Sequence, residues 1–400
     1  MDMKLIKRDF YLQQLRDVEG VPDIKVITGV RRCGKSRLLE AFADELRGKY
    51  DNANIIFVDF SSLEFDGLKD YRLLNAYVEA RYVPELRNFL FIDEVQLCPK
   101  FELVVNSLHA SGKYDIYITG SNAFLLSSDL ATLFTGRTCS IEVFPFSYAE
   151  YLQYHDMENS HASFDLYMSD GGMSGAYLYK TEKARLDYIA DVYNTLILRD
   201  VKQKYGIRNL PLLDRLSDFL MDNISNPTSV RSLARVLKAA GETVTNVTLG
   251  RYIEYLCNAF AFYRVRRYDI KGKRYLTTND KYYLSDHSFR YARLGIKNPD
   301  YGRILENMVA VELLRRGYEI YSGVLYAKEV DFVALRRDEK IYIQVAQSIE
   351  DMNTFKREAA PLLDIKDAYP KFIITRLLYP QYMYEGIKVA DISDWMVGNL

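Results

Sequence analysis

The chain has 400 residues, 48% of them hydrophobic, and a formal net charge of −1. This length favours two to four domains of about 100 to 150 residues each, and the balanced charge excludes a chain that is polybasic throughout. Its four widely spaced cysteines include no CxxC pair, so neither a zinc site nor a disulfide framework is indicated. Because the N-terminus lacks an apolar signal core and no apolar run approaches the roughly 20 residues that cross a bilayer, we expect a cytoplasmic protein with no membrane partner.

Residues 1–146 alternate short apolar runs with helical patterns, which is typical of an α/β fold with a doubly wound parallel sheet. Near-continuous apolar runs such as Phe89-Leu-Phe-Ile92 predict strands that are buried on both faces by helices. The predicted strands are Ile24–Thr28, Asn54–Asp59, Phe89–Asp93, Tyr114–Thr119 and Thr138–Val143.

A GxxxxGK[ST] loop lies between the first predicted strand and an amphipathic helix. Its glycines allow backbone N–H groups to turn toward phosphate oxygens, Lys35 adds a charge at the β- and γ-phosphates, and the Ser36 hydroxyl can bind Mg²⁺. The sequence therefore predicts a P-loop site for a nucleoside triphosphate. The predicted binding residues are Gly29, Val30, Arg31, Arg32, Cys33, Gly34, Lys35, Ser36 and Arg37.

The third predicted strand ends in two carboxylates, Asp93 and Glu94. In such sheets ligands bind at the carboxyl ends of the strands. Asp93 is therefore placed to hold Mg²⁺ together with Ser36, and Glu94 is placed to accept a proton from the attacking water. Together with the phosphate loop, this pair predicts hydrolysis in addition to binding.

Two further candidates are less specific. The fourth strand ends in Gly120-Ser121-Asn122, so Ser121 or Asn122 is either a sensor of the γ-phosphate or part of a turn. Arg137, before the last strand, is either an arginine finger, acting on the nucleotide of its own or a neighbouring subunit, or a member of a surface salt bridge. Both alternatives stay open.

Several motifs together carry a family resemblance. They are Thr28-Gly-Val-Arg-Arg-Cys-Gly-Lys-Ser36, Phe91-Ile-Asp-Glu-Val-Gln96, Ile118-Thr-Gly-Ser121, Thr135-Gly-Arg137, Phe144-Pro-Phe-Ser147, Gly171-Gly172 and Leu198-Arg-Asp200. The chain resembles the AAA-type P-loop ATPases, and more closely a prokaryotic family that joins such a core to a conserved C-terminal domain of unknown function. The resemblance implies binding and hydrolysis of ATP, with a winged helix after the lid. It does not imply a particular substrate.

Beyond the core, residues 147–205 are mostly helical in pattern and are predicted to form a lid. Residues 206–290 predict a winged helix, which consists of three helices and a hairpin. The helices are predicted near Leu210–Ile224, Ser229–Ala240 and Thr248–Asn258, and the hairpin strands at Ala259–Tyr268 and Arg274–Leu284.

The predicted winged helix carries a local excess of positive charge. From Asn226 to Arg290 there are twelve Lys/Arg and five Asp/Glu, a net charge of +7. A basic, tyrosine-rich hairpin beside such helices indicates binding to the phosphates of duplex DNA, with the wing residues Lys271, Lys273 and Arg274 as the dominant contacts. Winged helices also serve as protein contacts, so DNA and a protein partner remain alternatives.

The last segment, residues 291–400, resembles the restriction-endonuclease-like fold. In that fold a helix-borne acid, an Asp and an acid-x-Lys pair hold a catalytic metal. Glu306 or Glu312 is the candidate helix acid and Asp331 is the candidate Asp, but the third element reads Gln344-Val-Ala346. The missing acid and ammonium predict a degenerate domain in which nuclease activity is unlikely.

These observations predict an ATPase that binds ATP with Mg²⁺ and acts on a macromolecular partner. The alternative is a nucleotide-gated switch that binds DNA or protein and hydrolyses ATP too slowly to act as a motor. A homo-oligomer would allow Arg137 to act between subunits.

Overall fold

The computed structural model describes residues 5–120, 134, 136–239, 241, 244–272, 274–295, 300–326 and 328–398, without the side chains of residues 198, 199 and 274–278. The chain divides into two compact units. We refer to Met1–Val143 as the N-terminal unit and to Phe144–Leu400 as the C-terminal unit.

The N-terminal unit is a parallel sheet with helices. Its five strands have the order β2-β3-β4-β1-β5, and every neighbouring pair is parallel. This confirms the predicted α/β class with a parallel-sheet core. The helices are α1 (Asp9–Asp17), α2 (Lys35–Lys49), α3 (Tyr71–Glu79) and α4 (Phe101–Ala110), and the strands are β1 (Ile24–Thr28), β2 (Ala53–Asp59), β3 (Arg87–Asp93), β4 (Asp115–Thr119) and β5 (Thr138–Glu142).

Strand register positions the site. All five residues of β1 are buried, and so are six of the seven in β3, as their apolar sequences predict. Asp59 pairs with Asp93, and Ile92 pairs with Ile118, so that β2, β3 and β4 end side by side. The phosphate loop follows the end of β1, which lies next to β4. The carboxyl ends of these strands therefore form one edge.

The C-terminal unit begins with helices. Ser147 caps α5 in a capping box with Glu150, which satisfies two N–H groups at that end. The helices are α5 (Tyr148–His155), α6 (His161–Asp170), α7 (Glu182–Thr195), α8 (Leu210–Asp222), α9 (Val230–Ala239), α10 (Asn246–Asn258), α11 (Ser288–Leu294), α12 (Tyr301–Arg315), α13 (Met352–Asp364) and α14 (Ile392–Met396), and a π-helix spans Leu196–Gln203.

A mixed sheet of eight strands forms the core of this unit, in the order β12-β13-β11-β10-β9-β8-β6-β7. The strands are β6 (Phe262–Asp269), β7 (Arg274–Leu284), β8 (Glu319–Leu325), β9 (Lys328–Arg336), β10 (Glu339–Ala346), β11 (Lys371–Thr375), β12 (Tyr382–Tyr384) and β13 (Ile387–Asp391).

Three helices and a hairpin, α8 to α10 with β6 and β7, follow one another in the predicted order. The hairpin is not separate from the following strands, however, because β6 pairs in parallel with β8 from Arg266↔Tyr321 to Asp269↔Val324. The sequence analysis placed these strands in different segments, and the structure joins them in one sheet. The winged helix, the lid and the four segment boundaries stay predictions.

The Gly171-Gly172 motif has a structural explanation. A Cβ atom on Gly171 would lie 2.5 Å from Oδ1 of Asp286, and one on Gly172 would lie 2.4 Å from the carbonyl oxygen of Phe146. The Gly172 N–H donates to Asp286 Oδ2 at 2.7 Å. The two glycines are thus required where three segments of the C-terminal unit meet.

Candidate nucleotide site

The phosphate loop connects β1 to α2 through unusual backbone conformations. Gly29 has φ 138°, Arg32 has φ 65° and Gly34 has φ 100°. A side chain at Gly29 would collide with the residue that follows β5, because its Cβ would lie 2.0 Å from the carbonyl oxygen of Val143. α2 begins at Lys35, so its N-terminal N–H groups and the positive end of its dipole are offered to an anion beside the loop.

Lys35 is buried, with 6% of its surface exposed. Its ammonium donates to the carbonyl oxygens of Gly29 at 2.9 Å and Val30 at 3.1 Å. An ammonium that is desolvated and held within the loop is suited to bind a phosphate oxygen with a charge-assisted hydrogen bond.

Ser36, Asp93 and Thr119 come together at the ends of three segments. Asp93 is 2% exposed and accepts hydrogen bonds from the hydroxyls of Thr119 and Ser36. Burial raises the pKa of Asp93, as do the nearby carboxylates of Glu94 and Asp59, whereas the two hydroxyls lower it. A carboxylate and a hydroxyl are hard oxygen donors of the kind that Mg²⁺ prefers, so these residues fit the predicted metal.

Thr119 is one of two residues at the site that the sequence analysis did not name as candidates. Its Oγ1 donates to Asp93 and accepts the backbone N–H of Glu94 at 3.1 Å, so it links both predicted acids. The pairing of Ile92 with Ile118 places Thr119 beside Asp93. A parallel alignment of the two strands predicted from sequence would have identified it.

Glu94 adopts a left-handed conformation, with φ 53°. Such a φ is uncommon for a non-glycine residue and occurs often at functional positions. Its side chain is half-buried, and Oε2 accepts a hydrogen bond from Nε2 of Gln96 at 2.5 Å. The carboxylate therefore has a fixed neighbour at the edge where Asp93 lies.

A second residue that was missed, Arg8, contacts the loop from the segment before α1. It is 6% exposed, donates from Nη1 to the Cys33 carbonyl oxygen at 2.8 Å, and lies 4.5 Å from the centroid of the Tyr11 ring. Cys33 is itself buried, and burial raises the pKa of its thiol. Nothing in the local pattern around Arg8 predicts this contact over 25 residues.

The remaining predicted site residues differ from one another in how exposed they are. Arg31 is half-buried and Arg32 exposed, while Arg37 is exposed and pairs with Glu40 at 2.7 Å. Ser121 and Asn122 lie outside the described residues.

Arg137 is exposed, and its carbonyl oxygen accepts the N–H of Ile24. It thus lies at the amino end of β1, about 16 Å along the strand from the phosphate loop. The structure does not bring Arg137 to the nucleotide site of its own chain.

The C-terminal unit contains an acidic centre formed by Glu306, Glu329 and Asp331. Lys281 of β7 contacts all three, with Nζ 2.9 Å from Glu306, 2.6 Å from Glu329 and 3.6 Å from Asp331. Burial would lower the pKa of Lys281, but the three carboxylates raise it above its ordinary value. Burial, followed by the charge of Glu306, raises the pKa of Asp331 to about 8.

The acidic centre distinguishes the two candidate helix acids and contains a lysine that the sequence analysis did not assign to it. Of the two candidate helix acids, Glu306 lies at Asp331, whereas Glu312 pairs with Arg315 and Arg316. Lys281 places an ammonium among these acids from β7, a predicted hairpin strand, and not from the segment 291–400 in which the sequence analysis looked for a lysine. Gln344 donates to Glu358 at 2.8 Å. Among the residues that the structure describes, no group of three or more acids, histidines or cysteines is arranged to hold a metal ion.

Comparison with known proteins gives the family. Residues 21–152 match the model of an AAA domain, and residues 161–300 match a domain of unknown function (DUF8612). Over 99% of its length the chain is 36% identical to an uncharacterized protein of Haemophilus influenzae, of which it covers 100%. The chain belongs to this family of AAA-domain proteins. The AAA domain supports a nucleotide-dependent ATPase, and its match includes the phosphate loop, Asp93 and Glu94.

More distant relatives extend the comparison. An uncharacterized protein of Methanocaldococcus jannaschii is 27% identical over 98% of this AAA-domain chain and 88% of its own length. Two solved structures are similar: the Aeropyrum pernix ORC1 protein in complex with DNA (13% identity, 73% of this chain, 93% of that chain, TM-score 0.31) and CDC6P from Pyrobaculum aerophilum (14%, 77%, 96%, 0.31). At these TM-scores the likeness carries no argument about activity. No helix in the described ranges is long and apolar enough to span a membrane.

Proposed function

We propose that the N-terminal unit binds ATP with Mg²⁺ and hydrolyses it. The observation that supports this most is that Ser36 and Thr119 both donate to Asp93, and Thr119 also accepts the N–H of Glu94, next to a phosphate loop whose lysine is already desolvated. A loop alone would support only binding. A metal-binding pair with a carboxylate on the following residue supports hydrolysis.

Each residue has a chemical role in this proposal. Lys35 and the loop N–H groups bind the β- and γ-phosphates, and Ser36 and Asp93 would hold Mg²⁺, which neutralises phosphate charge when it is bound. Glu94 orients the attacking water and accepts its proton. Gly29 and Gly34 let the backbone approach the phosphates closely.

The first test is ATP binding and Mg²⁺-dependent release of phosphate by the full chain. Lys35→Ala should abolish tight ATP binding, because the phosphates lose their main side-chain counterion. The matched control is Arg47→Ala, at the far end of α2, where an exposed cation pairs with Asp44. Equal ATP affinity of both variants would contradict the proposal.

A slow nucleotide-gated switch is a second candidate, and the contact between Gln96 and Glu94 favours it. A carboxylate oxygen held at 2.5 Å by an amide is less available to accept a proton from water. If this contact restrains turnover, Gln96→Ala should hydrolyse ATP faster than wild type at unchanged ATP affinity. Unchanged or slower turnover would argue against the switch.

The partner is proposed to be a macromolecule, either DNA or a protein, bound through the basic segment between Asn226 and Arg290. Its net charge of +7 on a chain with a formal net charge of −1 supports a polyanionic partner. We propose further that the protein is cytoplasmic, that residues 206–290 form a winged helix, and that the chain forms a homo-oligomer in which Arg137 serves a neighbouring subunit.

A further inference from the structure

The hairpin β6–β7 is engaged within its own unit. β6 is bound along one side by β7 and along the other by β8. The ammonium of Lys271, at the turn, lies 4.8 Å from the centroid of the Tyr326 ring, and Arg264 pairs with Asp280 at 2.9 Å. A hairpin that is part of an eight-stranded sheet is less free to enter a groove of DNA than a protruding wing.

The helix α9 carries a different basic surface. Arg231, Arg235 and Lys238 are exposed and are spaced by four and three residues, so they lie on one face of the helix. We call these three residues the α9 stripe. The opposite face is buried through Leu233, Ala234 and Leu237.

The helix itself accounts for only part of the α9 stripe, because of its three cations only Lys238 lies in the last turn, where the helix dipole favours a positive charge. None of its three cations forms an ion pair with an acid in the described part of the chain, and the first turn of α9 contains no acid. Arg231 lies in that first turn, where the helix dipole disfavours a positive charge by a few tenths of a kcal/mol. Cations that have no acidic partner among the described residues indicate that the α9 stripe binds an external anion.

The helix α10 packs against α9 and presents different chemistry. Thr245 caps it by accepting the N–H of Thr248, and Asn246, Val247 and Arg251 are exposed. Val247 is 65% exposed although it is apolar. An amide, a methyl-bearing side chain and a guanidinium at the start of a helix are the groups that contact base edges in a major groove.

We propose that the α9 stripe and the first two turns of α10 form a binding surface for duplex DNA. Arg231 and Lys238 are separated by about 10 Å along the helix, a length comparable to three steps of the roughly 3.4 Å spacing, measured along the duplex axis, between successive phosphates of one strand. The α9 stripe contacts phosphates, and α10 enters the major groove. This proposal rests on the proposed function and names duplex DNA as the partner that was left open there. It also assigns the main contact to the α9 stripe and α10 instead of the hairpin turn.

The test measures the binding of full-length protein to a labelled 30-base-pair duplex by fluorescence anisotropy, over a series of salt concentrations. The triple variant R231A/R235A/K238A should bind more weakly and reduce the slope of log K against log salt by about 2.7, or 0.9 for each phosphate that is no longer neutralised. Lys271→Ala should change the slope by less than the amount expected for one phosphate.

The control triple variant is K180A/K356A/K366A. It removes the same charge from exposed lysines of the same unit and should retain wild-type affinity and slope. Equal losses in both triple variants, or no binding of wild type at low salt with or without nucleotide, would overturn the proposal. Competition by polyglutamate as strong as by unlabelled duplex would also overturn it, in favour of an acidic protein.

ATP turnover without DNA separates this inference from the proposed hydrolysis. The stripe variant should hydrolyse ATP at the wild-type basal rate, because α9 contributes no residue to the proposed site. Loss of DNA binding by the stripe variant, together with normal ATP turnover, would support the proposed DNA-binding surface. If wild-type protein does not hydrolyse ATP but still binds DNA through α9, the proposed hydrolysis is wrong and the proposed DNA-binding surface stands.

Discussion

Thr119 forms hydrogen bonds with the carboxylate of Asp93 and with the backbone N–H of Glu94 at the candidate site. Its hydroxyl donates to Asp93 and thereby opposes the effect of burial, which raises the pKa of that carboxyl. Asp93 must be ionised to bind Mg²⁺, so the state of this hydrogen bond should be visible in the pH dependence of turnover.

Thr119→Val should raise the pKa of Asp93 further, because the ionised form loses a donor while the side-chain volume is conserved. The acidic limb of the pH profile of kcat/KM should therefore move to higher pH. Thr119→Ser keeps the hydroxyl and should leave the limb near its wild-type position. A limb that does not move in Thr119→Val, or that moves to lower pH, would contradict the role given to Thr119.

Arg8 positions the loop without a predicted contact to the nucleotide. Because a peptide is planar and trans, a Cys33 carbonyl held by Arg8 turns the next N–H, that of Gly34, in the opposite direction, away from Arg8. Arg8→Ala should weaken the binding of ATP and ADP about tenfold, the loss expected for one charge-assisted hydrogen bond.

The turnover number should separate this role from a general loss of structure. If Arg8 acts on the loop, KM for ATP should rise in Arg8→Ala while kcat stays near the wild-type value, and Arg8→Lys should recover part of the affinity. A fall in kcat at unchanged KM would place Arg8 in the chemical step instead and contradict this account.

Lys281 connects β7 to the acidic centre through its ion pairs. Lys281→Met should destabilise the C-terminal unit by about 3 kcal/mol, because buried carboxylates lose their counterion. Chemical denaturation monitored by circular dichroism would measure this. The variant K281M/E306Q/E329Q should recover much of the loss, since fewer unpaired charges remain, and failure of this recovery would show that packing rather than charge explains the effect.

Much of this architecture could be predicted because it is encoded locally. Apolar runs and the loop motif predicted β1 to β5 to within two residues at each end. Parallel order also placed Asp93 near Ser36, since ligand sites form at the carboxyl ends of strands.

Long-range contacts could not be predicted in this way. The pairing of β6 with β8, the contact of Arg8 with Cys33 and the approach of Lys281 to Asp331 each join residues that are 25 to 55 positions apart. Local periodicity contains no information about such pairs. The sequence analysis predicted no strands at β12 and β13, which have only three and five residues and so offer a short pattern.

For the whole molecule, the position of Arg137 has a consequence for assembly. Because it lies at the amino end of β1, it is too far from the phosphate loop of its own chain to stabilise charge there. An arginine finger at this position requires a second copy.

Subunit mixing tests this directly. Lys35→Ala and Arg137→Ala should each be inactive alone, whereas a mixture should recover activity, because one subunit then supplies the loop and its neighbour supplies the guanidinium. Light scattering in the presence of ATP would establish that mixed assemblies form. A fully active Arg137→Ala protein would exclude the role in either arrangement.

In the proposed function, Glu94 accepts a proton from the attacking water, and the site binds ATP without the help of its carboxylate. The most direct measurement compares ATP affinity with single-turnover hydrolysis in wild type and Glu94→Gln. We expect Glu94→Gln to bind ATP with near-normal affinity and to hydrolyse it about 100-fold or more slowly. The amide keeps the shape of the carboxylate but cannot accept a proton. Hydrolysis by Glu94→Gln at the wild-type rate would contradict it.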